Sequence, residues 1–471
     1  MTSEYTIDGA TPEQNKLLED IALKFDVNES HLLEIADEVY RSLADGLKSE
    51  NDAKGPPCLV SYIKSGITQD IRKAEKREMV ALGMTINTAA NRIKIASIQF
   101  VQGAPDAINK QIFYLPDGGP ISPTELFEDA ATHVAQFINT HNLVPEPGQP
   151  PLSMGVTVDL PLEETSKSGG HVINNSLASQ KTFSNVDLAH TLNSVMLKRH
   201  LPVKVTSTTN CVISTMVSAQ HRFHATCVAL ILNHGINASY YERAAKIPKL
   251  SGTELGSSDT RVAINTELAR FGEYSSVLNP TMWDHRIDRE SPNTGYHTFE
   301  KLVADKYLGE IVRNLITDFM DSRMIFPKHS DVSTFSTPYS FFTSYMTIME
   351  DTSDDLSEVG NLLRAGFNID SSLVDRKIVS SLCKIVAMRA AKLVGGAAAG
   401  LAKKATEAMD APEPAVISIS GQLTEMNQPY LKCTMTTAKS IASKIGLEEP
   451  IFNVLGEDGY TVGAALSSLS N

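Results

Sequence analysis

Asn265-Thr-Glu-Leu-Ala-Arg-Phe271, Asp288-Arg-Glu-Ser-Pro-Asn-Thr-Gly295, Phe299-Glu-Lys-Leu302 and Tyr307-Leu-Gly-Glu-Ile-Val-Arg313 follow one another in a single stretch of the chain. Just before the first, Arg261 to Asn265 reads as a strand; across the last two, Thr298 to Phe319 carries the apolar spacing of a long helix. Working outward, strands are expected at Met79 to Met84, Ile93 to Phe100, Ser153 to Val158, Val203 to Thr206 and Cys227 to Leu232. Further helices are expected at Thr124 to Asn142 and Val374 to Ala405. Between Thr11 and Leu47 the apolar positions predict two amphipathic helices, the second capped by Asn28 or Ser30. Strands alternating with helices define an α/β class. The Ala/Gly run Val394 to Leu401 reads as close helix packing rather than a linker.

The 471 residues allow two to four domains, and an apolar content of 42% is ample for large cores. A net charge of −13 opposes a non-specific nucleic-acid or anionic-membrane footprint, so no direct nucleic-acid partner is expected. Cys58, Cys211, Cys227, Cys383 and Cys433 are odd in number and scattered, which fits reduced thiols in the cytoplasm or nucleus. Neither the start nor any later stretch reads as a leader or a membrane span. The basic run Arg72 to Arg77, interrupted by Glu75, reads as solvated surface rather than a nuclear signal.

The four opening segments resemble the hexokinase family's N-x-E-x-G-x-F, D-x-x-S-x-x-x-G, F/Y-E-K and Y-L/M-G-E-x-x-R run, in the same order and with nearly the same spacing. Leu59-Val-Ser-Tyr-Ile63 is similar to L-P-T-Y-V, and Gly155-x-Thr157-x-x-x-Pro161-x-x-Glu164-Thr-Ser166 to G-F-T-F-S-F-P-x-x-Q-T-S. Arg389 to Leu393, Glu457 to Gly459 and Gly463 to Ala465 extend the resemblance almost to the end. It implies the two-lobe, actin-like ATPase or ribonuclease-H-like fold. The large lobe would comprise 1–75 and 212–458, the small lobe 76–211, and a C-terminal helix at 459–471 would cross back.

In that family an Asp in N-D-T-x-G-T takes the proton of the sugar hydroxyl, while glycine-rich loops and Mg²⁺ hold the phosphates of ATP. Counting along the matching strand puts Ser207 in the place of the Asn and Thr208 in the place of the Asp, and a threonine hydroxyl is no base at neutral pH. The first phosphate loop, L-D-L-G-G-T-N-x-R-V, falls on Ala81 to Ile93 without the Asp or the glycine pair. The second, G-T-G-x-N, reads Asn233-His-Gly-Ile-Asn237 and keeps Gly235. The adenosine-side D-G-S reads Ser420-Gly421-Gln422 and keeps Gly421. At the sugar site the resemblance retains Asn237, Glu267 and Glu300 and replaces Thr with Ser176, while Asp159 stands for a Ser and Leu177 for a Lys.

These replacements lead to the expectation of a non-catalytic regulatory protein, similar to the hexokinase-like proteins of filamentous fungi linked to carbon starvation, transcription and extracellular protease production. It would act through protein partners, bind a hexose weakly at most, and need no cofactor, ATP and Mg²⁺ entering only if kinase activity persists. Two other readings stand beside it. One is an ATP-dependent kinase of a hexose or hexosamine using Asp159 as its base, and the other is an interaction protein whose cleft binds no small molecule. His221, His224 and Cys227 read as a hairpin turn leading into a buried strand rather than as a zinc site, and His234 as a structural histidine.

Overall fold

The computed structural model describes residues 5–48, 56–67, 79–87, 91–100, 106–115, 122–173, 185–328, 332–349, 353–410, 414–456 and 459–469. In chain order the strands are β1 (Leu59–Lys64), β2 (Met79–Asn87), β3 (Arg92–Phe100), β4 (Ala107–Tyr114), β5 (Leu152–Val158), the short pair β6 (Leu162–Glu164) and β7 (Gly170–Val172), β8 (Val203–Asn210), β9 (Thr226–Leu232), β10 (Ile236–Arg243), β11 (Arg261–Asn265), β12 (Val416–Ser420) and β13 (Ile451–Leu455). They build a five-stranded sheet in the order β4-β3-β2-β5-β8 and a six-stranded sheet in the order β1-β11-β10-β9-β12-β13. In the first, the antiparallel strands β4 and β3 join the parallel run β2, β5 and β8; in the second, β1, β11 and β10 join the parallel run β9, β12 and β13. Apart from the extra edge strand β1 the same topology therefore occurs twice, although no short repeat is visible in the amino acids.

Alternation along β2 decides what each face of the smaller sheet meets. Leu82, Met84 and Ile86 enter a core completed by Phe127, Val134 and Phe137 of the helix Pro123–Thr140 and Leu192 of the helix Leu188–Lys198. Gly83 and Thr85 face the opposite way, toward the C-terminal helix Gly459–Ser468. There Thr85 Oγ1 lies 2.7 Å from Thr461 Oγ1. A Cβ on Gly83 or Gly155 would fall on the carbonyl oxygen of Thr461 or Ala464, so only glycine permits this approach. The far side of the same helix meets Ser214 of the helix Cys211–Arg222 through Gly463. An apolar cluster containing Ala81, Ile98, Met216, Ala229, Ala263 and Leu466 thereby joins the two sheets.

The expected elements fall on observed ones, with three departures, one being that His221, read as part of a hairpin turn, lies in the helix Cys211–Arg222. Thr298 to Phe319 is two helices, Thr298–Val303 and Asp305–Asp321, because Ala304 is extended and Asp305 N–H donates to Asn233 O at 3.1 Å. The helix Leu373–Met409 is long and apolar enough, by length and composition, to cross a membrane, contrary to the expectation that no stretch would be. Yet 89% of that apolar window is buried inside the fold, where Gly396 and Gly400 meet Leu32 and Ala36 of the helix Glu29–Gly46. Asn28 caps the latter, accepting from His31 N–H.

The polar residues of the opening motifs serve largely as internal locks. Lys301, 3% exposed, donates to Asp288 Oδ1 at 2.6 Å and Asn293 O at 2.8 Å, while Gly295 N–H donates to Asp288 at 3.0 Å. Arg313 grips Glu310 with two hydrogen bonds, at 2.8 and 2.6 Å. Arg389 grips Asp284 likewise, at 2.6 and 2.8 Å, with both side chains under 5% exposed. Such two-pronged, desolvated pairs cost several kcal/mol to break because the partner is left charged and alone.

Two consequences follow from this packing. Gly155→Val should destabilise the chain by about 3 kcal/mol or more in urea unfolding and expose the C-terminal helix to limited proteolysis. Burial raises the Asp284 carboxyl but the charge and hydrogen bonds of Arg389 outweigh it, so its pKa is lowered. The stability this carboxylate contributes is present above its unfolded pKa and lost as pH falls through the folded one. Asp284→Asn should therefore cost about 3–5 kcal/mol at neutral pH, and the gap from the unaltered chain should narrow below about pH 4.

Candidate functional cleft

In open parallel sheets the chemistry gathers beyond the carboxyl ends of the strands. Thr208 does not lie there. It sits inside β8 opposite Val156, fully buried, its N–H donating to Lys167 O at 3.1 Å and its hydroxyl without a hydrogen-bond partner. Ser207, opposite Gly155, is equally buried. Both expectations are therefore corrected, since neither side chain can meet a ligand.

The end of β8 is Asn210, whose Oδ1 accepts from Val212 N–H at 2.9 Å and whose Nδ2 donates to Leu160 O at 2.8 Å. Cys211 opens the helix Cys211–Arg222. Asn210-Cys-Val-Ile-Ser-Thr215 thus lies three residues further on than the sequence reading placed the segment. Set against N-D-T-x-G-T it keeps the Asn and the last Thr, with Cys211 in the place of the base. The conclusion that the carboxylate is missing survives the change of register. Burial, and after it the nearby Asp159 carboxylate, push the half-buried Cys211 thiol well above its ordinary pKa, so it is neither a thiolate nor a base at neutral pH.

On the opposite wall, Asn237 Nδ2 donates to Asn265 Oδ1 at 2.9 Å, and Asn265 Nδ2 donates to Glu267 Oε1 at 2.8 Å. Glu267 is left-handed, at φ 48°, an unusual conformation for such a residue and one found where a site holds it. His297, also left-handed, donates its N–H to Glu273 at 2.7 Å, and its Nδ1 lies 3.3 Å from Glu300 Oε1. Glu300 in turn fills the space beside Gly235 that a side chain would take. Burial raises the Glu267 carboxyl against the opposing pull of Asn265. Burial alone would lower the His297 imidazole, but Glu300, Glu267 and Glu273 hold it above its ordinary value. Asn237 and Glu267 thus share one hydrogen-bonded chain through Asn265, and Glu300 with His297 forms a second group whose charges act on Glu267, together a set of amides and carboxylates of the kind that can hold hydroxyls.

A cavity of about 640 Å³ opens beside this network, lined among others by Glu164, Lys249, Glu267, Arg270, Tyr296 and His297. Glu164, in the place of a family Gln, was not read as a site residue. Burial pushes its carboxyl up to about 8 despite hydrogen bonds from Tyr62 N–H and Ser61 Oγ, each 2.9 Å. His297 was missed as well, since only its left-handed backbone turns it toward the glutamates. Asp159 is half-buried just beyond β5, near Cys211. Ser176 and Leu177 lie outside the described residues, as do residues 88–90.

Of the nucleotide-side residues, Gly421 has φ 125° and packs on Leu232 O, which accounts for a glycine there without a nucleotide. Gly235 closes a tight turn with Asn233 N–H donating to its carbonyl at 2.9 Å. His221 pairs with Asp106 at 2.8 Å, and Cys227 turns to Val416 O.

Two lobes of repeated topology, with a carboxylate and amide network in the cleft and loops turning toward it, define the class of the sugar kinases. The chain belongs to the hexokinase family, whose two models, both described as hexokinase, match residues 17–221 and 227–470. It is 29% identical to Hexokinase-2 of Solanum tuberosum over 97% of this chain and 91% of that one, and 33% identical to Hexokinase-7 of Oryza sativa subsp. japonica over 73% and 74%. Its fold matches that of the hexokinase from Schistosoma mansoni complexed with glucose at a TM-score of 0.81 and 22% identity, over 97% of this chain and 99% of that chain.

Family membership implies ATP with Mg²⁺, an ion usually held by one or two carboxylates, waters and the phosphates themselves. Among the described residues Thr85 in β2 is engaged with Thr461, and Asp305 beside the second phosphate loop is paired with His234.

The register of β8 can be tested directly. Thr208→Asp should cost about 3 kcal/mol or more in chemical unfolding, because it buries a lone carboxylate inside a strand. Cys211→Asp, at the helix start, gains from the helix N-terminus but meets the same burial and Asp159 charge that raise the thiol, so it should cost clearly less than Thr208→Asp, about 1–2 kcal/mol.

Proposed function

We propose that this chain is a sugar-binding member of the hexokinase family that does not transfer phosphate by the family's route and acts as a regulatory protein through protein partners. One observation carries the reading: at the end of β8, where a carboxylate would take the proton of a sugar alcohol, a protonated cysteine stands. The network of Asn237, Asn265, Glu267, Glu300 and His297 supports retained recognition of hydroxyls. A ligand held there by both lobes would favour the closed arrangement and so change the surface offered to a partner. The resemblance to the hexokinase-like proteins of filamentous fungi supports a role in carbon-status signalling, in the cytoplasm or nucleus.

A second reading, an ATP-dependent kinase of glucose or another hexose or hexosamine, has two observations in its favour. The relatives that match nearly the whole chain are named hexokinases. Asp159 lies close enough to Cys211 for its charge to act on the thiol, so a carboxylate lost from β8 has a counterpart beyond β5.

Turnover of ATP by the purified chain, over a panel of hexoses and hexosamines, separates the two. The first reading expects no sugar-dependent turnover, together with a rise in Tm on adding glucose that Glu267→Gln removes. Turnover at ordinary rates that Asp159→Asn abolishes would replace it with the second.

A further inference from the structure

Given that the cleft binds a sugar, as proposed above, we propose that Glu164 is a ligand contact working as a neutral acid: it donates a hydrogen bond to an oxygen of the sugar, so recognition depends on one proton. Glu164 ends β6, whose Leu162 is packed in the core of the five-stranded sheet. Its Oε2 nevertheless accepts from two donors of β1, in the six-stranded sheet: Ser61 Oγ and Tyr62 N–H, each at 2.9 Å. The carboxyl is thus fixed where elements of the two sheets meet, and it lines the cavity of about 640 Å³ together with Tyr62 and Glu267. Among the described residues no donor reaches Oε1. With both hydrogen bonds on Oε2, the proton of the acid form belongs on Oε1, the oxygen left for a ligand.

The groups on the surrounding elements supply no counter-charge. Glu163, on the same strand, lies 3.3 Å from His171 of β7. Lys64 ends β1, and Lys167, beyond β6, donates to Ser468 O at 3.2 Å. Across the cavity Lys249 donates to Cys58 O at 2.7 Å, Arg270 to Glu273 at 3.0 Å, and Asn265 to Glu267 at 2.8 Å, while His297 stands 3.3 Å from Glu300. Tyr62 and Tyr296 bring phenols. Burial, opposed only by the two hydrogen bonds from β1, pushes the Glu164 carboxyl up to about 8. A sugar entering the cavity displaces water from Oε1, and a carboxylate with no cation beside it pays heavily for that loss, whereas the neutral acid does not. In that form Oε1–H meets an acceptor that any hydroxyl or ring oxygen of a sugar provides.

The pH dependence has a definite sign. Below about 8 the carboxyl holds its proton and the site is in its binding form. Above it the competent fraction falls, and apparent affinity falls with it, about tenfold for each further pH unit.

Titration calorimetry of the full chain with glucose, at about pH 7 and about pH 9.5, tests this. The unaltered chain should bind about tenfold or more weakly at the higher pH, while Glu164→Gln, whose amide N–H stands in for the acid O–H, should bind without that loss. Glu164→Ala should weaken binding about tenfold at the lower pH and likewise remove the dependence. Affinity that is level in the unaltered chain, rises with pH, falls equally in the Gln variant, or is untouched by Glu164→Ala would overturn the proposal and leave the sugar site standing. Glucose failing to bind at either pH would overturn it together with the sugar-binding reading on which it rests.

Discussion

The C-terminal helix Gly459–Ser468 can reach the centre of the molecule only because two strands of the smaller sheet present no side chain to it. Gly83 and Gly155 bring the backbones of β2 and β5 against the Thr461 and Ala464 carbonyls, and Gly463 brings the helix against Ser214 on the other side. Close-packed interiors tolerate no extra atom at such contacts. The helix is therefore a wedge shared by both halves, and the cluster of Ala81, Met216, Ala229 and Leu466 is continuous through it.

From this wedge the placement of the site follows. The helix packed against Gly463 is Cys211–Arg222, and its start is where β8 leaves the sheet. Asn210 has both side-chain ends committed, one to the helix and one to Leu160. Its neighbour Cys211 consequently has a fixed position at the cleft floor. Identity at that position, rather than any flexibility, decides what chemistry the floor can perform. The opposite wall is fixed as firmly: the Lys301–Asp288 and Arg313–Glu310 pairs stabilise the segments that carry His297 and Glu300.

Strands and helices were legible in the amino acids because their apolar periods are strong, and the motifs between Asn265 and Arg313 were legible because their spacing is rigid. The register of β8 was not. Thr206-Ser-Thr-Thr-Asn210 is a polar strand end, buried from Ser207 onward, where side-chain chemistry offers no alternation to count. The helix start at Cys211 was hidden too, since Asn210 caps it from within what reads as strand. The break at Ala304 is set by Asn233, seventy residues away in sequence, and tertiary contacts of that kind leave no local trace. His297 and Glu164 became visible only when backbone turns and burial brought them to the cavity.

Beside the two stretches that match the family's phosphate loops, the described side chains are engaged with one another or basic. Around the first, β2 carries Thr85 joined to Thr461 and β3 begins with Arg92; around the second, a histidine and a lysine flank an aspartate that the histidine already engages. A Mg²⁺ ion beside bound phosphates takes few ligands from the protein, so paired acids near these turns leave that chemistry open. At the floor a neutral thiol, Cys211, stands where the family motif has its Asp, while the opposite wall keeps Glu267 and Glu300. Floor and wall are held by separate packing, the one by Asn210 and the other by Asn265 and His297, so the groups at one can change without disturbing the other.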